Sequence, residues 1–120
     1  MKKTALVTHE ECLQHVTPPG HPEQVARLEY ILEALKDINL LRVSAPMAAD
    51  DDILRIHPRE HINYLQDSVP ENGFKSLDGD THISSGSLTA AYRAAGGVLR
   101  AVDLVLSGEA KNAFVAVRPP

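Results

Sequence analysis

The run Ala113-Phe114-Val115-Ala116-Val117 constrains the fold more than any other segment of this chain. It has no polar position, so it lacks the alternation of a strand with one solvated face. Apolar residues pointing both ways fit a strand buried on both faces, as in a parallel sheet with helices above and below. Parallel strands need crossover connections, most often helices. The rest of the chain supplies them. Residues 3–8 (KTALVT) read as a first short buried strand and residues 40–44 (LLRVS) as a second. Between them Val25, Leu28, Ile31, Leu32 and Leu35 recur at helical spacing. Pro22 suits the first position of that helix, where a missing N–H is harmless, and the helix is expected to end near Asn39.

A longer helix over residues 86–107 precedes the apolar run. Leu88, Ala91, Ala95, Val98, Val102 and Val105 trace one face, with Ser85 placed to cap it and Gly108 to end it. Ala90, Ala94, Gly96 and Gly97 leave much of this helix bare, which lets another backbone come close. The carboxylates of Asp50, Asp51 and Asp52 favour a helix N-terminus, with a short helix running to about His57. Pro58 opens another, through Ile62 and Leu65 to about Ser68. Residues 69–85 show no periodicity and are expected to form a long loop, of a kind more often functional than idle.

The order β-α-β-α-α-α-β gives an α/β architecture with a parallel sheet. In open α/β sheets chemistry gathers beyond the carboxyl ends of the strands. Arg118-Pro119-Pro120 lies at such an end, with few residues left to cover the sheet. The expectation is a piece of a larger domain.

Composition removes several functions. The chain of 120 residues, 43% of them hydrophobic, is expected to fold as one domain at most. Its charge of −4 is spread over both signs, with no basic patch for a phosphate backbone, so no nucleic-acid partner is expected. A membrane span needs about 20 apolar residues. The longest run, glycine aside, is residues 113–117, so no membrane association is expected. The basic start at Lys2 and Lys3 is followed by only Ala5, Leu6 and Val7 before polar residues, too few for a signal peptide. Cys12 is the lone cysteine, permits no internal disulfide and fits a cytoplasmic setting.

No segment by itself carries a complete catalytic set. His57-Pro58-Arg59-Glu60-His61 matches a zinc-protease pattern, but Pro58 pushes His57 out of helical conformation. Asp78-Gly79-Asp80 begins like a calcium loop, yet Ile83 stands where glycine is needed and Thr89 where glutamate is. Those two carboxylates fit either a cap for the next helix or acceptors for a ligand. Cys12 and His15 suit a thiolate–imidazole pair, without any oxyanion-hole signal, or a packed cysteine beside a loop histidine. His9, His15 and His21, spaced six apart in one loop, could approach a metal but carry no companion of metal-site spacing, and they fit solvated or hydrogen-bonded loop histidines better. There is no phosphate-binding glycine loop.

Four stretches in register resemble the N-terminal part of the zinc-dependent histone deacetylase superfamily, in particular its class II-like bacterial branch of acetylpolyamine amidohydrolases and acetoin-utilisation proteins. They are His21-Pro22-Glu23-Gln24-Val25-Ala26-Arg27-Leu28; Ile56-His57-Pro58-Arg59-Glu60-His61-Ile62; Leu77-Asp78-Gly79-Asp80-Thr81 with residues 87–97; and Asn112 to Pro120. Val25 departs from the proline common at that position. The resemblance implies an arginase-like three-layer αβα fold, incomplete here, with residues 1–120 as the N-terminal fragment of a single deacetylase domain. It implies that Arg118-Pro119-Pro120 continues as Gly-His-His, those histidines being the acid/base pair, and that the zinc ligands lie further on. The activity implied is hydrolysis of N-acetyl amides, acetyl-lysine or acetylpolyamine, with zinc in the full-length protein. This chain alone is expected to be inactive and to hold no zinc.

Two site residues carry over from the resemblance. Asp80 corresponds to an aspartate on the pocket rim that accepts hydrogen bonds from substrate. Arg27 corresponds to an arginine in an internal channel through which acetate leaves. Spacing alone makes Arg27 an ion-pair partner of Glu23, four residues earlier. The rival reading is a non-catalytic binding or assembly module that uses an exposed sheet edge and the Ala/Gly-rich helix. In either case the 120-residue piece is expected to self-associate, through open strand edges and an uncovered face.

Overall fold

The computed structural model describes residues 2–120. Strand β1 (Thr4–Thr8) lies at the centre of a parallel sheet of order β2-β1-β5, flanked by β2 (Leu41–Ser44) and β5 (Asn112–Val115). Ala5 stands beside Leu41 on one side and Ala113 on the other, and Val7 beside Val43 and Val115. Side chains alternate across a strand, so this layer points one way and Leu6 the other.

Both faces of β1 are covered. Ala5 and Val7 pack with Ala101 and Leu104 of helix α4 (Ser87–Leu106). Leu6 packs with Leu28 of α1 (Val25–Leu35), with Cys12 and with Ala116. Helix, sheet and helix form three layers, and the parallel α/β arrangement read from the sequence is the one observed.

Helix α1 begins three residues after Pro22 rather than at it, and ends at Leu35 rather than near Asn39. Side chains hold the preceding segment out of the helix: His21 Nδ1 accepts the Glu23 N–H at 3.1 Å, and Thr17 Oγ1 donates to the Glu23 carbonyl at 2.7 Å. At the far end the Arg42 guanidinium donates to the carbonyls of Leu35, Lys36 and Ile38, which caps the helix with a positive charge. Helix α2 (Asp50–Ile53) is shorter than expected, and α3 (Arg59–Ser68) starts after an extended Pro58. His57 therefore stands outside the helix, its ring stacked on that of His61 at 4.7 Å.

Helix α4 buries a different face from the one its larger residues trace. Ala90, Gly97, Ala101 and Leu104 are buried, the last two against β1, while Val98 and Val102 are about half exposed. The reason is close approach. The segment after β2 crosses the bare part of the helix, with the Ala48 N–H bonded to the Tyr92 carbonyl at 3.0 Å. A Cβ on Gly96 would stand 1.9 Å from the Pro46 carbonyl oxygen. Gly86, not Ser85, is the N-terminal cap, and Gly108 ends the helix in the left-handed region at φ +81°.

Two other expectations change. Residues 69–85 are not loop throughout: β3 (Lys75–Ser76) and β4 (His82–Ile83) form a small antiparallel hairpin. Strands of two residues carry no detectable periodicity. Strand β5 is not buried on both faces, because Phe114 is 50% exposed at the edge of the three-stranded sheet.

Candidate functional site

The best-built polar site lies where expected for this architecture, beyond the carboxyl ends of β1 and β5. Its centre is Arg118, which is fully buried. The strand that precedes it is held in the sheet, so the guanidinium is delivered beneath the loop that follows β1. Nε donates to both Glu23 carboxylate oxygens, at 3.0 and 3.3 Å. Nη1 donates to the carbonyls of Cys12 (3.3 Å) and His15, and Nη2 to the Glu23 carbonyl at 3.4 Å. A buried guanidinium is tolerated only when its charge and donors are met, and here one carboxylate and three carbonyls meet them.

Burial would raise the Glu23 pKa, but the hydrogen bond and charge of Arg118, with Arg27 added, outweigh it and hold the carboxyl below its ordinary value. Arg27 makes the ion pair with Glu23 that its spacing implies, Nε to Oε1 at 3.2 Å. It also reaches the segment just past β5, with Nη2 3.3 Å from the Val117 carbonyl. Arg27, Glu23 and Arg118 thus form one connected charge group.

His15 is buried beside it, with Nδ1 2.7 Å from Ser87 Oγ at the start of α4. Ser87 Oγ accepts the Ser84 N–H, and Ser84 Oγ accepts the Val16 N–H. Burial first, then the charge of Arg118, lowers the His15 pKa, so the ring is neutral at pH 7. A folded-state pKa below the unfolded value means stability that is complete above the unfolded pKa and is lost as pH falls. Stability should therefore decline in two stages on acidification, first below the ordinary histidine value of 6.5 and then below the ordinary glutamate value of 4.5. His15→Gln should remove the first stage and keep the second. Denaturant unfolding across pH checks this; an unchanged upper stage in His15→Gln would exclude His15 as its source.

A cleft of about 390 Å³ opens beside this network, lined by His15, His21, Glu23, Ser87, Leu88 and Pro119 among others. Asp80 sits on its lip, at the tip of the β3–β4 hairpin. Asp78, not Asp80, shapes that turn, its Oδ1 accepting the N–H groups of Asp80 (2.9 Å) and Thr81 (2.8 Å). The Asp80 side chain is 93% exposed, with Oδ1 3.2 Å from His21 Nε2.

The structure separates other residues that the sequence placed near one another. Cys12 is fully buried against Leu6 and Leu28, while His15 turns to Ser87, so no thiol–imidazole pair forms. His9 accepts the Glu11 N–H, His15 meets Ser87 and His21 meets Asp80. Among the described residues no group of three or more His, Cys, Asp or Glu side chains converges as a metal site. Sequence reasoning missed Arg118 as the hub and the Ser84–Ser87–His15 network. No local signal marked the first, because the partners of Arg118 lie 95 to 106 positions away along the chain.

A three-layer parallel α/β unit with a polar cleft at its strand ends defines the class. The histone deacetylase domain family matches residues 21–120, and the chain belongs to that family. A probable deacetylase of Archaeoglobus fulgidus is 36% identical over 98% of this chain and 34% of its own length. A histone deacetylase-like amidohydrolase of Pseudomonas aeruginosa is 35% identical over 99% of this chain and 37% of its own length. The crystal structure of the HDA15 HD domain superposes with a TM-score of 0.86 at 26% identity, over 98% of this chain and 36% of that one. The chain thus spans about a third of the length of these relatives.

Proposed function

We propose that these 120 residues are the N-terminal part of a zinc-dependent deacetylase domain, and that the complete protein hydrolyses N-acetyl amides, acetyl-lysine or an acetylated polyamine. Family membership and the names of the relatives support the reaction class. The observation that carries the site is Asp80: a carboxylate presented at the mouth of a cleft whose lining includes Glu23, the partner of buried Arg118. An anionic acceptor at that place makes charge-assisted hydrogen bonds to a substrate N–H and fixes its approach. Arg27 is proposed to stabilise the departing acetate, its half-exposed guanidinium lying between Glu23 and the segment just past β5. Among the described residues no three ligand side chains converge, and it is the family resemblance that puts the metal ligands and the acid/base pair further along the complete protein.

Asp80→Asn in the complete protein tests the rim assignment. Hydrogen bonds to charged groups contribute roughly 1.5–3 kcal/mol, so kcat/KM should fall about ten- to a hundredfold while thermal stability holds. An unchanged kcat/KM beside a lowered melting temperature would make Asp80 a structural residue and end the rim reading.

One observation favours the second reading, a binding or assembly module: the outer face of α4, with Val98, Val102 and Leu106 exposed, and Phe114 exposed on β5. On either reading the 120-residue chain by itself should associate. Sedimentation showing a monomer with concentration-independent stability would contradict this.

A further inference from the structure

The two ring nitrogens of His21 have fixed and different tasks. Nδ1 lies 3.1 Å from the Glu23 amide nitrogen, and an amide N–H only donates, so Nδ1 is an acceptor and carries no hydrogen. The hydrogen of the neutral ring is then on Nε2. Nε2–H donates to the Asp80 carbonyl oxygen at 3.1 Å, with Asp80 Oδ1 alongside at 3.2 Å and outside that bond. The ring itself is held in place. It is 15% exposed, the His82 ring meets it edge-on at 5.4 Å, and Ser76 Oγ lies 3.0 Å from His82 Nδ1. Asp80 is the reverse, a side chain almost wholly in solvent on the tip of a two-residue hairpin.

We propose that His21 is a positioning residue for Asp80: its Nε2–H donates to the Asp80 carbonyl, which fixes the turn and so holds the Asp80 carboxylate at the cleft mouth. This rests on Asp80 serving as the rim acceptor. A mobile hairpin tip must be ordered each time substrate arrives, whereas one tied down by a packed ring already presents its carboxylate at the right place. The effect belongs to substrate capture, so it appears in KM more than in kcat.

Two substitutions separate this role from a structural one. Glutamine at position 21 keeps an N–H donor near the place of Nε2 but loses the Nδ1 acceptor. Asparagine keeps an acceptor near Nδ1 but does not reach Asp80. In the complete protein, with an acetyl-lysine peptide as the probe, His21→Asn should raise KM about tenfold with kcat changed less than about twofold, and His21→Gln should recover most of that loss. The double variant His21→Asn, Asp80→Asn should be no worse than Asp80→Asn alone, because His21 acts on substrate only through the Asp80 carboxylate. Nitrogen-15 spectra of the histidine-labelled protein should show His21 with a bare Nδ1. Rescue by asparagine instead of glutamine, losses that multiply in the double variant, or a hydrogen on Nδ1 would each overturn the proposal. If Asp80→Asn costs tenfold while His21→Asn costs nothing, only the role of His21 falls. If Asp80→Asn itself costs nothing, the rim reading falls and this proposal with it.

Discussion

Replacing Arg118 by alanine is expected to destabilise the fold by about 3–5 kcal/mol, the usual cost of removing one member of a buried ion pair. The guanidinium is fully buried and supplies donors to four acceptors on the loop after β1. Without it the Glu23 carboxylate keeps only Arg27, whose side chain is 42% exposed, and the carbonyls of Cys12 and His15 lose their donors. Arg118→Lys should recover part of the loss at most. A single ammonium carries charge but does not span both the carboxylate and the carbonyls. Part of the penalty is an uncompensated negative charge, so the deficit should shrink as pH falls through the ordinary glutamate value of 4.5 and Glu23 is neutralised. Denaturant unfolding of the Arg118→Ala and parent proteins at pH 7 and near pH 4 measures both effects. A deficit under about 1 kcal/mol, the range of a surface ion pair, would remove Arg118 from its place as the hub.

The layers were legible in the sequence because the strands and the two long helices obey simple periodicities. Ala5, Leu6 and Val7 read as buried, and all three are. The site was legible in pieces only. Spacing gave the Arg27–Glu23 pair, since four residues on a helix bring two side chains together. Nothing local gave Arg118–Glu23 or His15–Ser87, which join residues 95 and 72 positions apart. Such contacts exist only after the sheet has formed. The face of α4 was misread for a related reason. Periodicity follows large side chains, and the buried stripe of this helix is, Leu104 apart, made of small ones that let the crossing backbone come close. Phe114 was misread because a strand at a sheet edge is covered only as far as its neighbours reach.

Glycine to alanine in a helix interior ordinarily stabilises by about 1 kcal/mol, because alanine is the better helix former. Gly96→Ala is expected to do the opposite, with a net loss of about 3 kcal/mol, at the upper end of overpacking costs. The new Cβ would stand 1.9 Å from the Pro46 carbonyl oxygen and 2.8 Å from the Ala48 amide nitrogen. Both obstacles are backbone, so no rotamer change relieves them. Either α4 moves away from the segment after β2 or that segment moves away from α4. Each movement pulls on the Ala48 N–H···O=C Tyr92 bond and on Ala45, which is fully buried in the same core as Val7 and Leu104. Gly97, one residue on, is the internal control. Its Cβ would meet the Ala45 Cβ at 3.1 Å, a tight contact but not an impossible one, so Gly97→Ala should cost distinctly less. Gly79 meets nothing within 4 Å, and Gly79→Ala should be near neutral in stability. The order of loss Gly96, Gly97, Gly79 is set by backbone clearance alone, whereas helix propensity makes Gly96 and Gly97 equal and both favourable. Unfolding measurements on the three variants decide between them: equal or increased stability for the two helical variants would mean that the segment after β2 does not lie against α4 in solution.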